Sequence, residues 1–161
     1  MNELNKSRKE SVWDYPRPPS VEISSQLILV IFNDTAIAKT NKSIRVLETS
    51  HPPTYYFPPE SVQHQYLFHT GKKSLCEFKG MADYYTIKIG KRLSENAAWS
   101  YHNPNTRYAT LKDYVAFFSG LVDACYVDGE RVRAQEGDFY GGWITSAIEG
   151  PFKGGRGTAG W

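Results

Sequence analysis

The apolar runs of this chain are short, and they end in residues that reverse the backbone. Leu27–Phe32 (LILVIF), the longest, stops at Asn33-Asp34, and Val122–Val127 stops at Asp128-Gly129. Asn, Asp and Gly tolerate positive φ, and Asp-Gly suits the tight turn of a two-residue hairpin. Apolar runs of this length, rich in branched residues and bounded by turns, read as strands. Further strands are expected at Ser43–Glu48, Gln65–His69, Ala82–Ile89 and Arg92–Tyr101, with GKKS (71–74) as a turn leading into LCEFKG. Thr106–Lys112 is the best helix candidate, and Tyr114–Phe118 fits either a helical extension or a strand. Many short strands with one or two short helices predict a mainly β, single-domain chain of antiparallel sheets. Residues 1–10 read as a loose polar tail and 11–161 as the domain, onto which Trp13 and Tyr15 pin a proline-rich arm.

Composition narrows the function classes. With 161 residues the chain suits one domain, and 19 basic against 17 acidic residues give no strong field of one sign. Nucleic-acid binding normally needs a clustered basic face, so none is expected. The start, MNELNKSRKE, lacks the apolar segment of a secretion signal, and LILVIF is too short to cross a bilayer. A cytoplasmic protein without membrane partners is expected. The two cysteines, Cys76 and Cys125, lie in apolar runs and form no CxxC pair, so they read as buried thiols and no metal site is expected. No cofactor motif is present.

Alternation along strands then points to polar groups on apolar faces. Glu48 shares a face with Ile44 and Val46, Asp123 with Cys125 and Val127, and Asp83 with Tyr85 and Ile87. An unpaired acid on such a face costs several kcal/mol, so a wet hollow inside the sheets is expected, or else each acid caps a strand end. Glu77 and Lys79 share one face of LCEFKG, where Lys79 either pairs with Glu77 or offers a fixed charge to an anion. The prolines of ETSHPPTYY hold His51, Tyr55 and Tyr56 in fixed directions. His51 with Glu48 is the candidate acid–base pair. His64, His69 and His102 have little context and read as exposed.

RVLETSHPPTYYFPPESV, LCEFKGMADYYTI, ENAAWSY, VAFFSGLVDACYVDGERV and FYGGWITSAIEGPFKGG resemble a widespread bacterial family known as domain of unknown function number 427, sometimes labelled nucleotidyltransferase-like. The resemblance runs from about Ser11 to Trp161. It implies a β-tent-like fold, similar to methionine-sulfoxide reductase B and the thalidomide-binding domain of cereblon, with an aromatic-lined ligand pocket on one sheet. The zinc that many such proteins hold on two CxxC pairs does not carry over. The resemblance assigns no catalytic roles.

Two features bear on the label. Gly154-Gly155-Arg156-Gly157-Thr158 fits a phosphate-cradling GGxGT pattern, but it sits at the end of the chain without the strand–turn–helix setting that gives such a pattern meaning. No DxD pair is present to hold magnesium. The expected function is therefore binding of an unidentified small molecule, an anion where Lys79 offers it a fixed charge. Arg45, Tyr55, Tyr56, Glu77, Lys79, Tyr85, Trp99, Asp123 and Trp143 are the candidate ligand-binding residues. The alternatives are an enzyme using Glu48 and His51, and an interaction module that forms a homodimer through exposed aromatics.

Overall fold

The computed structural model describes residues 9–137 and 140–161. The polar tail expected at 1–10 lies outside the described residues except for its end. In chain order the early strands are β1 (Glu10–Ser11), β2 (Ser20–Ser24), β3 (Ile28–Phe32), β4 (Thr35–Thr40), β5 (Ser43–Leu47) and β6 (Thr54–Tyr56). Next come β7 (Leu67–Cys76), β8 (Gly80–Ile89), β9 (Arg92–Ser100) and β10 (Val115–Phe117). The last are β11 (Ala124–Val127), β12 (Glu130–Arg131), β13 (Arg133–Ala134), β14 (Trp143–Ile144) and β15 (Ile148–Glu149). They form open sheets ordered β12-β11-β3-β4, β10-β9-β8-β7 and β2-β5-β6, with two short pairs, β13-β14 and β1-β15. Among the described residues, every pairing between these strands is antiparallel except β1 with β15. The fold is mainly β, as the turn spacing predicts.

The turns follow from their residues. Asn33 and Asp34 adopt φ of 50° and 58° between β3 and β4, and Asp128-Gly129 adopt 48° and 85° between β11 and β12. Positive φ at both central residues matches the right-handed strand twist. GKKS is different. It reads as a turn, but it lies inside β7 as a bulge, where Gly71 takes φ 82° and pairing resumes at Lys73↔Asp83. Its lysines mark β7 as a sheet edge, where charge deters further pairing. The reversal comes later, at 77–79, so Glu77 and Lys79 occupy a hairpin turn and not a strand face.

Thr106–Leu111 is a 3-10 segment broken at Tyr108 (φ −113°), not an α-helix. So short a segment has few internal hydrogen bonds to offset nucleation, and the Tyr108 hydroxyl is drawn away to donate to the Pro19 carbonyl (2.7 Å). The Tyr114–Phe118 ambiguity resolves as strand β10.

Two cores result. One is aliphatic and aromatic, with Ile28, Val30, Ile37, Phe57, Ile87, Phe117 and Trp143. The other is rich in tyrosine: Ile44, Val46, Tyr56, Tyr84, Trp99, Tyr101, Tyr108 and Phe118. Paired backbone bonds between Phe57 and Val115 (2.8 and 2.9 Å) stitch the β2-β5-β6 sheet to β10. The N-terminal arm is pinned as expected. Trp13 packs edge-on against Trp161 (5.1 Å), and its indole N–H donates to the Pro151 carbonyl (2.8 Å). Glu10, at the end of the expected tail, belongs to strand β1. No helix among the described residues is long and apolar enough to cross a membrane.

Candidate functional site

Beside the tyrosine-rich core the sheets leave a cavity of about 270 Å³. Strand parity builds its walls. β8 turns Tyr84 inward, β9 turns Trp99 inward from the directly paired position, and Tyr101 follows two residues on. β5 contributes Val46 and leads to Glu48, β6 gives Tyr56, and Phe118 follows β10. The hairpin turn at 77–79 folds over one side with Cys76, Phe78 and Lys79. His51, Gln135, Tyr140, Gly141 and Lys153 close another side. Gly141 is required there, because a Cβ would lie 2.2 Å from the Trp99 ring.

The aromatic wall is interlocked. Trp99 lies 4.5 Å from Phe118 between ring centres and meets Tyr56 edge-on at 6.1 Å, while Tyr84 stacks parallel to Phe118. The Trp99 indole N–H donates to the Tyr56 hydroxyl (3.3 Å). Burial pushes the Tyr56 and Tyr101 phenols above their ordinary range, so both stay neutral hydrogen-bonding groups.

Lys79 is the charged element. Burial works to lower its pKa, but Tyr56, Cys76 and Glu48 outweigh burial and hold it above the ordinary lysine value. No carboxylate among the described residues lies within ion-pair distance of its ammonium. Glu48 is held by Arg17 (3.3 Å). With Lys153 also in the wall, the cavity carries two ammonium groups and two carboxylates, Glu48 and Glu77, of which Glu48 is already engaged by Arg17.

Of the residues singled out from sequence, Glu48, His51, Tyr56, Glu77, Lys79 and Trp99 meet at this cavity. Five others lie elsewhere. Arg45 sits on the opposite face of β5, buried, and its guanidinium donates to Glu10 and Glu22. Tyr55 and Trp143 are core residues with ring centres 5.1 Å apart; their polar atoms are used by Gln26 and the Phe117 carbonyl. Tyr85 faces the other side of β8 from Tyr84. Asp123 caps the Asn33 N–H (2.7 Å) and takes a two-point contact from Arg92 (2.6 and 2.8 Å), so the strand-end reading holds for it. Asp83 also faces away from the cavity, beside Lys73.

Sequence reasoning missed Tyr84, Tyr101, Phe118 and Lys153. Tyr84 and Tyr85 are adjacent, and alternation puts them on opposite faces without saying which face is inner. Cys76, read as a buried thiol, is half-buried and lines the cavity, whereas Cys125 is buried.

Glu48 and His51 both line the cavity, without a hydrogen bond between them. The His51 Nδ1 contacts the Thr49 carbonyl (2.9 Å), not Glu48, and burial lowers the His51 pKa. The GGxGT segment is a closed turn. The Gly154 N–H donates to the Thr158 hydroxyl (2.9 Å), which in turn donates to the Gly155 carbonyl (2.7 Å). Those groups are engaged with one another and not presented to a phosphate.

Open antiparallel sheets around an aromatic hollow with charged groups in its wall define a β domain with a pocket-type candidate site. More particularly, the chain belongs to the family described as Domain of unknown function (DUF427), labelled NTP_transf_9, whose family model matches residues 20–128. No curated protein matches the chain significantly. The matched span carries most of the cavity wall, from Val46 to Phe118, while Gln135, Tyr140, Gly141 and Lys153 lie beyond it.

Proposed function

We propose that the cavity binds a small anionic molecule bearing a flat or aromatic group. The observation that carries this reading is the Lys79 ammonium, set in a wall of Tyr56, Tyr84, Trp99, Tyr101 and Phe118 with no ion-pair carboxylate among the described residues. Aromatic walls with a few placed polar groups are the usual construction of a small-molecule site. A partly buried ammonium gains from a carboxylate or phosphate brought to it. A volume of about 270 Å³ sets the scale at a single-ring ligand. In this reading the protein is a binding module in the cytoplasm, with no reaction assigned to the cavity.

The test is titration of 4-hydroxybenzoate and phenyl phosphate, followed by Trp fluorescence and melting temperature, against benzyl alcohol and benzylamine. The anions are expected to bind and to quench Trp99, and Lys79→Met is expected to weaken them by about tenfold or more. Equal binding of the neutral and cationic analogues, or unchanged affinity in Lys79→Met, would sink the reading.

A further inference from the structure

The face of β8 and β9 turned away from the cavity holds a second polar cluster, independent of the ligand reading. His69 on β7 is the direct partner of Tyr85, and His102, two residues beyond the end of β9, reaches Tyr85 from another side. Both imidazoles meet the Tyr85 ring edge-on, at 5.7 and 6.3 Å between centres. The Asp113 carboxylate lies 2.7 Å from His102 Nδ1, and the Tyr85 hydroxyl lies 2.7 Å from His102 Nε2. The Ser100 hydroxyl lies 2.9 Å from the Tyr85 hydroxyl. Asp83 sits beneath, paired with Lys73 and 3.6 Å from His102 Nε2.

The hydrogen-bond directions follow from the donors available. A carboxylate only accepts, so a proton on His102 Nδ1 is donated to Asp113, and in that tautomer Nε2 can accept from the Tyr85 O–H. The third group orients the base, and the base holds the proton of a hydroxyl. Ser100 is buried, while Tyr85 and His102 are partly open to solvent, so the phenol is the reachable oxygen.

We infer that Asp113, His102 and Tyr85 form an acyl-transfer centre for small carboxylic esters, with Tyr85 as the nucleophile. The Tyr85 oxygen attacks the ester carbonyl carbon as His102 Nε2 takes the phenolic proton. The bond to the leaving oxygen breaks, and the acyl group stays on Tyr85 as an aryl ester. An alkoxide leaving group takes the proton from His102; an acidic phenol leaves as its anion and the imidazolium releases its proton to water. A water molecule then attacks the acyl-tyrosine, giving its proton to His102, which returns it to the Tyr85 oxygen as the carboxylic acid departs. Asp113 is a positioning residue: it fixes the tautomer and supports the imidazolium.

The test uses p-nitrophenyl acetate with the full chain. The expected result is a burst of one p-nitrophenolate per chain, with the acetyl group located on Tyr85 by peptide mapping. Tyr85→Phe and His102→Asn lose the burst with circular dichroism and melting temperature retained. Asp113→Asn loses about a hundredfold in acylation rate, and Asp113→Glu restores it, an ordering that loss of packing alone would not give. Absence of a burst, acetylation of His102 or lysines in place of Tyr85, or a burst that survives Tyr85→Phe overturns the inference. Because Tyr85→Phe could perturb the face, the location of the acetyl group in the unmodified sequence decides independently.

Discussion

Arg45 shows how a side chain can be buried and functional-looking yet structural. Its guanidinium is 6% exposed and donates to both Glu10 and Glu22, which are about half exposed. Those pairings tie β5 to the arm and to β2. Arg45→Met removes the cation and leaves two acids that can turn toward water, so the expected cost is about 2 kcal/mol in urea unfolding, below that of a fully enclosed pair. A change within experimental error would show that the arm is not held by these contacts. The cysteines separate by place. Cys76 lines the cavity and Cys125 is buried with its thiol pushed upward by burial. Ellman's reagent is expected to titrate one thiol in the native protein and both in denaturant; two fast native thiols would contradict the buried position of Cys125.

At the scale of elements, glycines set the limits of substitution. Gly154 has φ 122°, and a Cβ there would lie 1.9 Å from the Glu136 carbonyl oxygen. Gly154→Ala is expected to cost about 3 kcal/mol or more, because backbone strain and a backbone clash add. Gly71 has φ 82° but open space around it, so Gly71→Ala is expected to cost about 1 kcal/mol. Equal losses in denaturant unfolding would contradict this ranking. Strands and hairpins were legible because turn chemistry is local: Asn33-Asp34 and Asp128-Gly129 carry their own φ preferences. GKKS was misread for the same reason, since its composition suits a turn and only the partner strand β8 shows that pairing resumes at Lys73. The helix expected at Thr106–Lys112 is instead a broken 3-10 segment whose Tyr108 finds a partner distant in sequence, Pro19.

For the molecule as a whole, charge ties the layers together, and acid should loosen them. Glu10, Asp83 and Asp123 all titrate below their ordinary values of 4.5, 3.8 and 3.8. Burial opposes the shift at Glu10 and Asp83 but is outweighed by Arg45 with Tyr15 and by Lys73 with His69; at Asp123 the Arg92 contact dominates. A group with a lowered folded pKa stabilises the fold above its unfolded value and loses that contribution as pH falls through the folded one. His51, lowered from 6.5 by burial, follows the same sign and starts the loss earlier. The melting temperature is therefore expected to fall slightly below pH 6.5 and steeply below pH 4.5; a flat profile down to pH 3 would show that these contacts contribute nothing. The sequence by itself determined most of the strands, most of their turns and the mainly β class, because these depend on period and local φ. Only the tertiary structure decided which face of β8 looks inward, that Tyr84 and not Tyr85 meets the cavity, and that His102 finds Asp113 and Tyr85. Alternation divides a strand into two faces, but the layer packed against each face, made of residues far along the chain, determines what that face does.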